Sequence, residues 1–241
     1  THMVCREDGI IAGLPLAQYV FEQIDNNLKI ILHKNDGDTV TKNDTVLTVS
    51  GNAQNILQAE RIALNFLSHL SGIATETSKY VKAVSHIKAK ILDTRKTLPG
   101  YRMLQKHAVK MGGGHNHRMG LHDMILIKDN HIAAAGGIVP ALEKVKAANS
   151  KVKIEIEVDT LEQLQTVMPF HDIIDFVLLD NMPPSVLKEA LKIIEGKILS
   201  EASGGINMNT VVAIAESGVD YISIGALTHS AQAVDIGLDF I

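Results

Sequence analysis

The chain has 241 residues, 46% of them hydrophobic, and a formal charge of -4 at pH 7. That length suits one α/β domain, or a small domain beside a larger one, and no apolar run approaches the roughly 18 residues of a membrane span. A pI near 6.2 with 4% aromatics argues against nucleic acid, while the lone Cys5 leaves no internal disulfide and fits a reducing, cytoplasmic setting. No signal peptide is read in the opening residues, and no fixed-period repeat is found.

Residues 3–50 read mostly as strand: VCRED, LKIILHK and TVLTVSG carry β-branched or alternating residues, broken by turns at Asn35-Asp36-Gly37-Asp38 and Lys42-Asn43-Asp44. A helix at about 14–25 interrupts them. GDTVTKNDTVLTVSG resembles a biotinyl-type hammerhead turn but lacks a modifiable Met-Lys pair, so it is scaffold, not carrier. A helix over about 56–70 follows, with leucines at 57, 64, 67 and 70. From Ile91 short apolar runs recur at 91–94, 124–128, 152–158, 176–179, 198–202 and 221–224. Helical segments at about 101–111, 137–149, 160–168, 184–195 and 209–217 separate them. Strands alternating with helices mean βαβ units and a parallel sheet, and six or seven such strands predict a closed or nearly closed α/β barrel.

Each of these strands ends in a polar or glycine signal: Asp93-Thr94-Arg95-Lys96, Lys128-Asp129-Asn130-His131, Glu157-Val158-Asp159, Asp180-Asn181, Glu201-Ala202-Ser203-Gly204-Gly205 and Gly225-Ala226. In a barrel these ends converge on the face where chemistry is done. Charge is sorted along the same stretch. Between Arg95 and Lys128 lie seven Lys or Arg and one acid, whereas Glu155 to Asp180 holds seven acids and no Lys or Arg. A site gripping a polyanion through cations and a metal through carboxylates would use both blocks. Lys106 and Lys110, spaced i, i+4, are read as a solvated helix face.

In IEIEV, Glu155 and Glu157 share one face of a strand and Ile154, Ile156 and Val158 the other. Two carboxylates therefore point into the barrel, where they need partners or a metal. Asp180, ending the next strand, is placed to share a Mg²⁺ or ribose hydroxyls with Glu157; oxygen ligands and a phosphorylated substrate suit that ion. Glycines 204, 205 and 225 end the last two strands, where backbone N–H groups can approach a phosphate. His115, His117, His122 and His131 offer nitrogen ligands, but no cysteine supports them and catalytic zinc needs three well-placed protein ligands, so zinc is not expected. No Gly-x-Ser-x-Gly elbow or Walker loop occurs.

Several stretches, in order and over nearly the whole length, resemble the quinolinate phosphoribosyltransferase family: ERIALNFLSHLSGIAT (60–75), LDTRKTLPGYR (92–102), GGGHNHRMGLHDMILIKDNH (112–131), EIEVD (155–159), LLDN (178–181), SGGI (203–206) and GALTHS (225–230). The family pattern carries a further helix and strand ahead of VCREDGIIAGLP, so the small domain is expected to be trimmed at its start. The resemblance implies an N-terminal α/β sandwich over residues 1–74, with the C-terminal tail docking on it, and an open six- or seven-stranded, type II phosphoribosyltransferase-like α/β barrel over 75–241. It implies a homodimer with a shared active site and a Mg²⁺-dependent pentosyltransferase. That enzyme would convert quinolinate and phosphoribosyl pyrophosphate to nicotinate mononucleotide, pyrophosphate and CO₂ in NAD biosynthesis. Residue by residue, it implies that Thr94, Arg95, His117, Arg118 and Lys128 meet quinolinate, with Arg61 from the partner subunit. Lys96 lies near the pyrophosphate, Glu157 and Asp180 meet the ribose and Mg²⁺, and Ser203, Gly204, Gly205, Gly225 and His229 line the phosphate side. Lys96, Lys128, Glu157 and Asp180 are the implied catalytic set. The alternatives are a related phosphoribosyltransferase for another acid, from a branch associated with molybdenum transport, and a non-catalytic phosphometabolite-binding protein.

Overall fold

The computed structural model describes residues 1–148 and 151–240. In chain order the first half carries β1 (His2–Cys5), β2 (Gly9–Ile10), α1 (Leu14–Ile24), β3 (Lys29–Leu32), β4 (Thr39–Val40), β5 (Thr45–Ser50), α2 (Ala53–Ala83), β6 (Lys90–Leu92) and α3 (Arg102–Met111). The second half carries β7 (Met124–Ile127), α4 (Asp129–Ala135), α5 (Ile138–Ala148), β8 (Lys153–Val158), α6 (Leu161–Val167), β9 (Phe176–Asp180), α7 (Pro184–Ile194), β10 (Leu199–Ser203), α8 (Val211–Ala215), β11 (Tyr221–Ser223), α9 (Ala226–His229) and β12 (Ile236–Asp239). The helix read over 137–149 is α5; residue 149 lies outside the described residues. The chain packs as two units.

The first unit takes Thr1–Val81, Lys96–Asn116 and the chain from Ala226 onward. Its antiparallel sheet has the order β12-β1-β5-β3, so the last strand completes a sheet begun by the first. Alternation sends Met3 and Cys5 of β1 and Leu47 and Val49 of β5 into a core shared with Leu14, Ala17 and Phe21 of α1 and the 56, 59, 63, 64 and 67 positions of α2; Val46 is buried as well. α2 runs 31 residues and does not stop at Leu70 as its sequence indicates. The Ser71-Gly72 pair just past Leu70 is a crossing point. A Cβ on Gly72 would sit 2.0 Å from the Gln232 carbonyl oxygen, and the buried Ser71 hydroxyl exchanges hydrogen bonds with the Ala12 backbone. Glycine lets a second chain segment lie against the helix there.

The glycine run 112–114 serves packing in the same unit. A Cβ on Gly112 would meet the Ala74 carbonyl oxygen at 2.3 Å, and one on Gly114 would meet Thr77 at 2.8 Å. Lys106 corrects the sequence reading. It is fully buried, while Lys110 is exposed. The buried side of α3 is wide enough to take Gln105, Lys106, Ala108 and Val109, so the i, i+4 spacing does not place both lysines in solvent.

The second unit takes Lys82–Arg95 and His117–Gly225. Its six strands are all parallel in the order β6-β11-β10-β9-β8-β7. β6 and β7 form the two edges and are not paired with each other among the described residues, so the barrel is open. β8 lies between β7 and β9, which rules out a solvated edge position for its two glutamates. Ile154, Ile156 and Val158 are buried on one face of β8, and Glu155 is buried on the other. Parallel pairing places every C-terminal strand end of this unit along one rim.

Candidate active site

The rim of the second unit is built by register. Ile127 of β7 pairs with Ile156 of β8, so the next residues, Lys128 and Glu157, meet as an ion pair across the strand ends. Glu157 is mostly covered, with 13% of its side chain exposed, and Lys128 is half-exposed. On the next strands Asp180 pairs in register with Ser203. The strand ends interlock beyond them: the Asn181 N–H donates to the Ser203 carbonyl at 2.8 Å, and a Cβ on Gly204 would lie 2.1 Å from Asn181 Oδ1. Asn181 and Gly204 both hold positive φ, at 53° and 96°. Gly204 is therefore required by its own neighbour as well as by any ligand. Gly205, at φ 61°, faces open space.

Beneath the rim lies a buried cluster. His117 Nε2 is 3.1 Å from Glu155 Oε2 and 3.4 Å from Glu201 Oε2, with the ring 8% exposed and the carboxylates 0% and 2%. Glu201 also accepts the Ser223 hydroxyl proton, whereas the Glu155 oxygens have no aligned hydrogen-bond donor. The fully buried Asp93 takes the His117 backbone N–H at 2.9 Å. Burial opposes charge on the His117 ring, but the two carboxylates outweigh it and hold the pKa up at about 10. Burial, then the Glu201 charge, pushes the Glu155 carboxyl up to about 7. The Arg118 N–H donates to His117 Nδ1 at 2.7 Å, which opposes a second ring proton. Two carboxylates at ion-pair distance in a buried site are the larger effect, so the cluster keeps a proton on the Nε2 side. The three ligand atoms lie within 4.8 Å of one another, a spacing a divalent ion can occupy. A ring protonated at Nε2 has no lone pair there to give a metal, and with two carboxylates facing it the arrangement favours a proton.

Arg118 stands next to this cluster. Its Nη1 donates to the Met124 carbonyl at 3.0 Å, and its pKa is lowered by burial first and by the Arg95 guanidinium second. Two arginines close enough to repel, in a partly buried setting, make a place that gains from an anion. Asp123 holds the loop ahead of β7 by accepting the Met119 and Gly120 N–H groups. Arg95, Arg118, His117, Lys128, Glu157, Asp180, Ser203, Gly204, Gly205, Thr94 and Gly225 all belong to the second unit; Arg61, Lys96 and His229 belong to the first. Arg61 is 76% exposed at its side chain and 3.9 Å from Glu60. Lys96 and His229 are exposed. Among the described residues the four histidines are not gathered: only His117 joins a group of possible metal ligands, and His131 instead accepts the Lys128 N–H at the start of α4.

Sequence reasoning missed Glu201 and Asp93 as members of the site. Asp93 carried a signal, an acid directly ahead of Thr94-Arg95 at a strand end. Glu201 carried one too, as the acid that opens the strand-end run Glu201-Ala202-Ser203-Gly204-Gly205.

Comparison with known proteins points one way. The model of the quinolinate phosphoribosyl transferase N-terminal domain matches residues 1–71, and that of its C-terminal domain residues 73–239. The chain is 44% identical over 238 residues to the probable nicotinate-nucleotide pyrophosphorylase [carboxylating] of Bacillus subtilis, covering 98% of this chain and 82% of that protein. It is 46% identical over 242 residues to the nicotinate-nucleotide pyrophosphorylase [carboxylating] of Mycobacterium leprae, covering 98% and 84%. The crystal structure of nicotinate-nucleotide pyrophosphorylase from Ehrlichia chaffeensis superposes with a TM-score of 0.95 at 43% identity, covering 99% of this chain and 86% of that one.

Proposed function

We infer the reaction from one premise: the chain belongs to the quinolinate phosphoribosyltransferase family. It transfers the phosphoribosyl group of phosphoribosyl pyrophosphate to quinolinate, releasing pyrophosphate and CO₂ and leaving nicotinate mononucleotide for NAD biosynthesis. The observation that carries this reading is the Arg95–Arg118 pair beside His117 and Lys128 in one unit. Quinolinate brings two carboxylates, and planar guanidinium groups take carboxylates bidentately.

The pyridine nitrogen attacks C1 of the ribose as pyrophosphate leaves, and no covalent enzyme intermediate is required. The chain's part is positioning and charge stabilisation. Arg95, Arg118 and Lys128 orient the acid, with His117 and Thr94 beside them, and Lys96 meets the pyrophosphate. Ser203, Gly204, Gly205, Gly225 and His229 line the phosphate side. Once the nitrogen is quaternary, loss of the adjacent carboxylate is easier because the C–C bond's electron pair is left as a carbanion beside positive charge, and a proton, ultimately from solvent, takes the place of the departed CO₂. Glu157 and Asp180 give two carboxylate donors at adjacent strand ends, and Mg²⁺ is commonly held by one or two carboxylates plus substrate phosphates. The donor set fits, although Glu157 must share its carboxylate with Lys128. Mg²⁺, when bound, supplies positive charge toward the ribose hydroxyls and the pyrophosphate. The catalytic unit is a homodimer in a reducing, cytoplasmic compartment, with Arg61 completing the partner's site.

The test is turnover of phosphoribosyl pyrophosphate with Mg²⁺ and either quinolinate or nicotinate. Quinolinate should be consumed with CO₂ release. Nicotinate, lacking one carboxylate, should be a very poor substrate, since losing a hydrogen-bonded contact to a charged group costs roughly 1.5–3 kcal/mol. Comparable kcat/KM for the two acids overturns the reading, and turnover of neither favours a different acid or a non-catalytic binder. Glu157→Gln or Asp180→Asn should lower kcat and raise the Mg²⁺ requirement while quinolinate affinity survives; equal loss of quinolinate affinity in calorimetry would move these carboxylates to the acid pocket.

A further inference from the structure

A polar group outside the rim is as fully buried as anything in the core. Gln105, on α3, is 0% exposed. A position needing only volume is filled more cheaply by leucine or methionine, because burying a carboxamide costs free energy unless every donor and acceptor is matched. Here they are matched. Its Oε1 accepts the Leu98 N–H at 2.9 Å; its Nε2 donates to His69 Nε2 at 2.9 Å and to the Thr228 carbonyl at 3.0 Å. The partners fix the amide's orientation, since a flipped group would set N–H against N–H and oxygen against oxygen. His69 can accept because burial lowers its pKa and favours the neutral ring. A second link closes the circuit: the buried Thr228 hydroxyl donates to the Lys96 carbonyl at 2.7 Å.

We propose that Gln105 is a positioning residue for phosphoribosyl pyrophosphate, holding the 96–98 loop and α9 in one arrangement so that Lys96 and His229 are presented together. The bonds fall on backbone groups beside those two side chains and leave both exposed. α2 supplies the anchor through His69. The proposal rests on the roles given to Lys96 and His229 above.

Direct titration of phosphoribosyl pyrophosphate, without acceptor acid, separates the two ideas. Gln105→Met keeps volume and removes all three bonds; it should weaken phosphoribosyl pyrophosphate binding and raise its KM by about tenfold, the scale of one misplaced charged contact. The KM for quinolinate should stay within about twofold, because none of these bonds touches Arg95, Arg118 or Lys128. Thr228→Val should give the same split, and the double variant should be no worse than the more affected single one, as expected for parts of one network. His69→Gln, which keeps an acceptor, should retain more affinity than His69→Leu. If Gln105→Met does not fold, Thr228→Val and the His69 pair carry the same test. Unchanged phosphoribosyl pyrophosphate affinity, equal rises in both KM values, or simple additivity overturns the positioning role. A wild-type chain that binds phosphoribosyl pyrophosphate yet never uses quinolinate overturns the proposed reaction and leaves this one standing on the binding data.

Discussion

His117 shows what single residues contribute here and what a sequence can say of them. The strand reading placed Glu155 and Glu157 on one face, and both do point from the same side of β8, one into the buried cluster and one to Lys128. Glu201 stayed hidden because it comes from β10, two strands away, and cross-strand register leaves no local mark in the sequence. The cluster has a consequence in solution. A histidine whose folded pKa is raised from 6.5 to about 10 contributes stability that is complete below the unfolded value and is lost as pH rises through the folded one. The urea midpoint should therefore fall between about pH 6.5 and about pH 10, and His117→Asn should flatten that fall; equal slopes would show that the ring carries no such charge. Glu155→Gln removes one of the two carboxylates, so the His117 pKa read by NMR should drop by about one to three pH units. An unchanged value would place the proton elsewhere.

At the scale of elements, periodicity located the parallel strands and the longer helices through their apolar residues, and gave no signal for the short β2, β4, α4, α9 and β12. It failed where a residue's role is set by a distant segment. The helix expected over about 56–70 rests on its leucines, the last of them Leu70, yet the buried face continues through Ile73, Ala74 and Thr77. Gly72 answers to the 232–233 segment, which no window around position 72 contains. Lys106 is the same kind of error in reverse, a charged residue assigned to solvent although its helix buries that side. Gly72→Ala is the direct check: with the Gln232 oxygen 2.0 Å from the new Cβ, backbone must move. Overpacking of this kind costs roughly 1–3 kcal/mol, seen as a lower urea midpoint with an unchanged m value. Gly100→Ala tests the other limit, since its φ of 76° is strained for alanine but nothing lies within 4 Å. Gly72 has an ordinary helical φ, so an unchanged midpoint for Gly72→Ala would show that the 232–233 segment yields without cost.

For the whole molecule the question is how Arg61, a residue of the first unit, serves a site at the barrel rim. Arg61 sits on the exposed side of α2, with Leu57 one turn earlier 53% exposed and Ile62 beside it 51% exposed. Apolar side chains flanking an exposed arginine are what a surface covered by another copy of the chain looks like. We propose a head-to-tail pair in which Arg61 enters the partner's site. Arg61→Ala and Lys128→Ala should each be nearly inactive alone. Mixed and allowed to exchange subunits, they form heterodimers in which one site carries both lesions and the other carries none. Random pairing makes half the dimers mixed, so roughly a quarter of all sites should be intact. Recovery towards that fraction is the signature of action in trans. If labelled subunits demonstrably exchange and activity stays at the single-mutant level, Arg61 acts within its own chain or only shapes the fold, and the shared site is wrong.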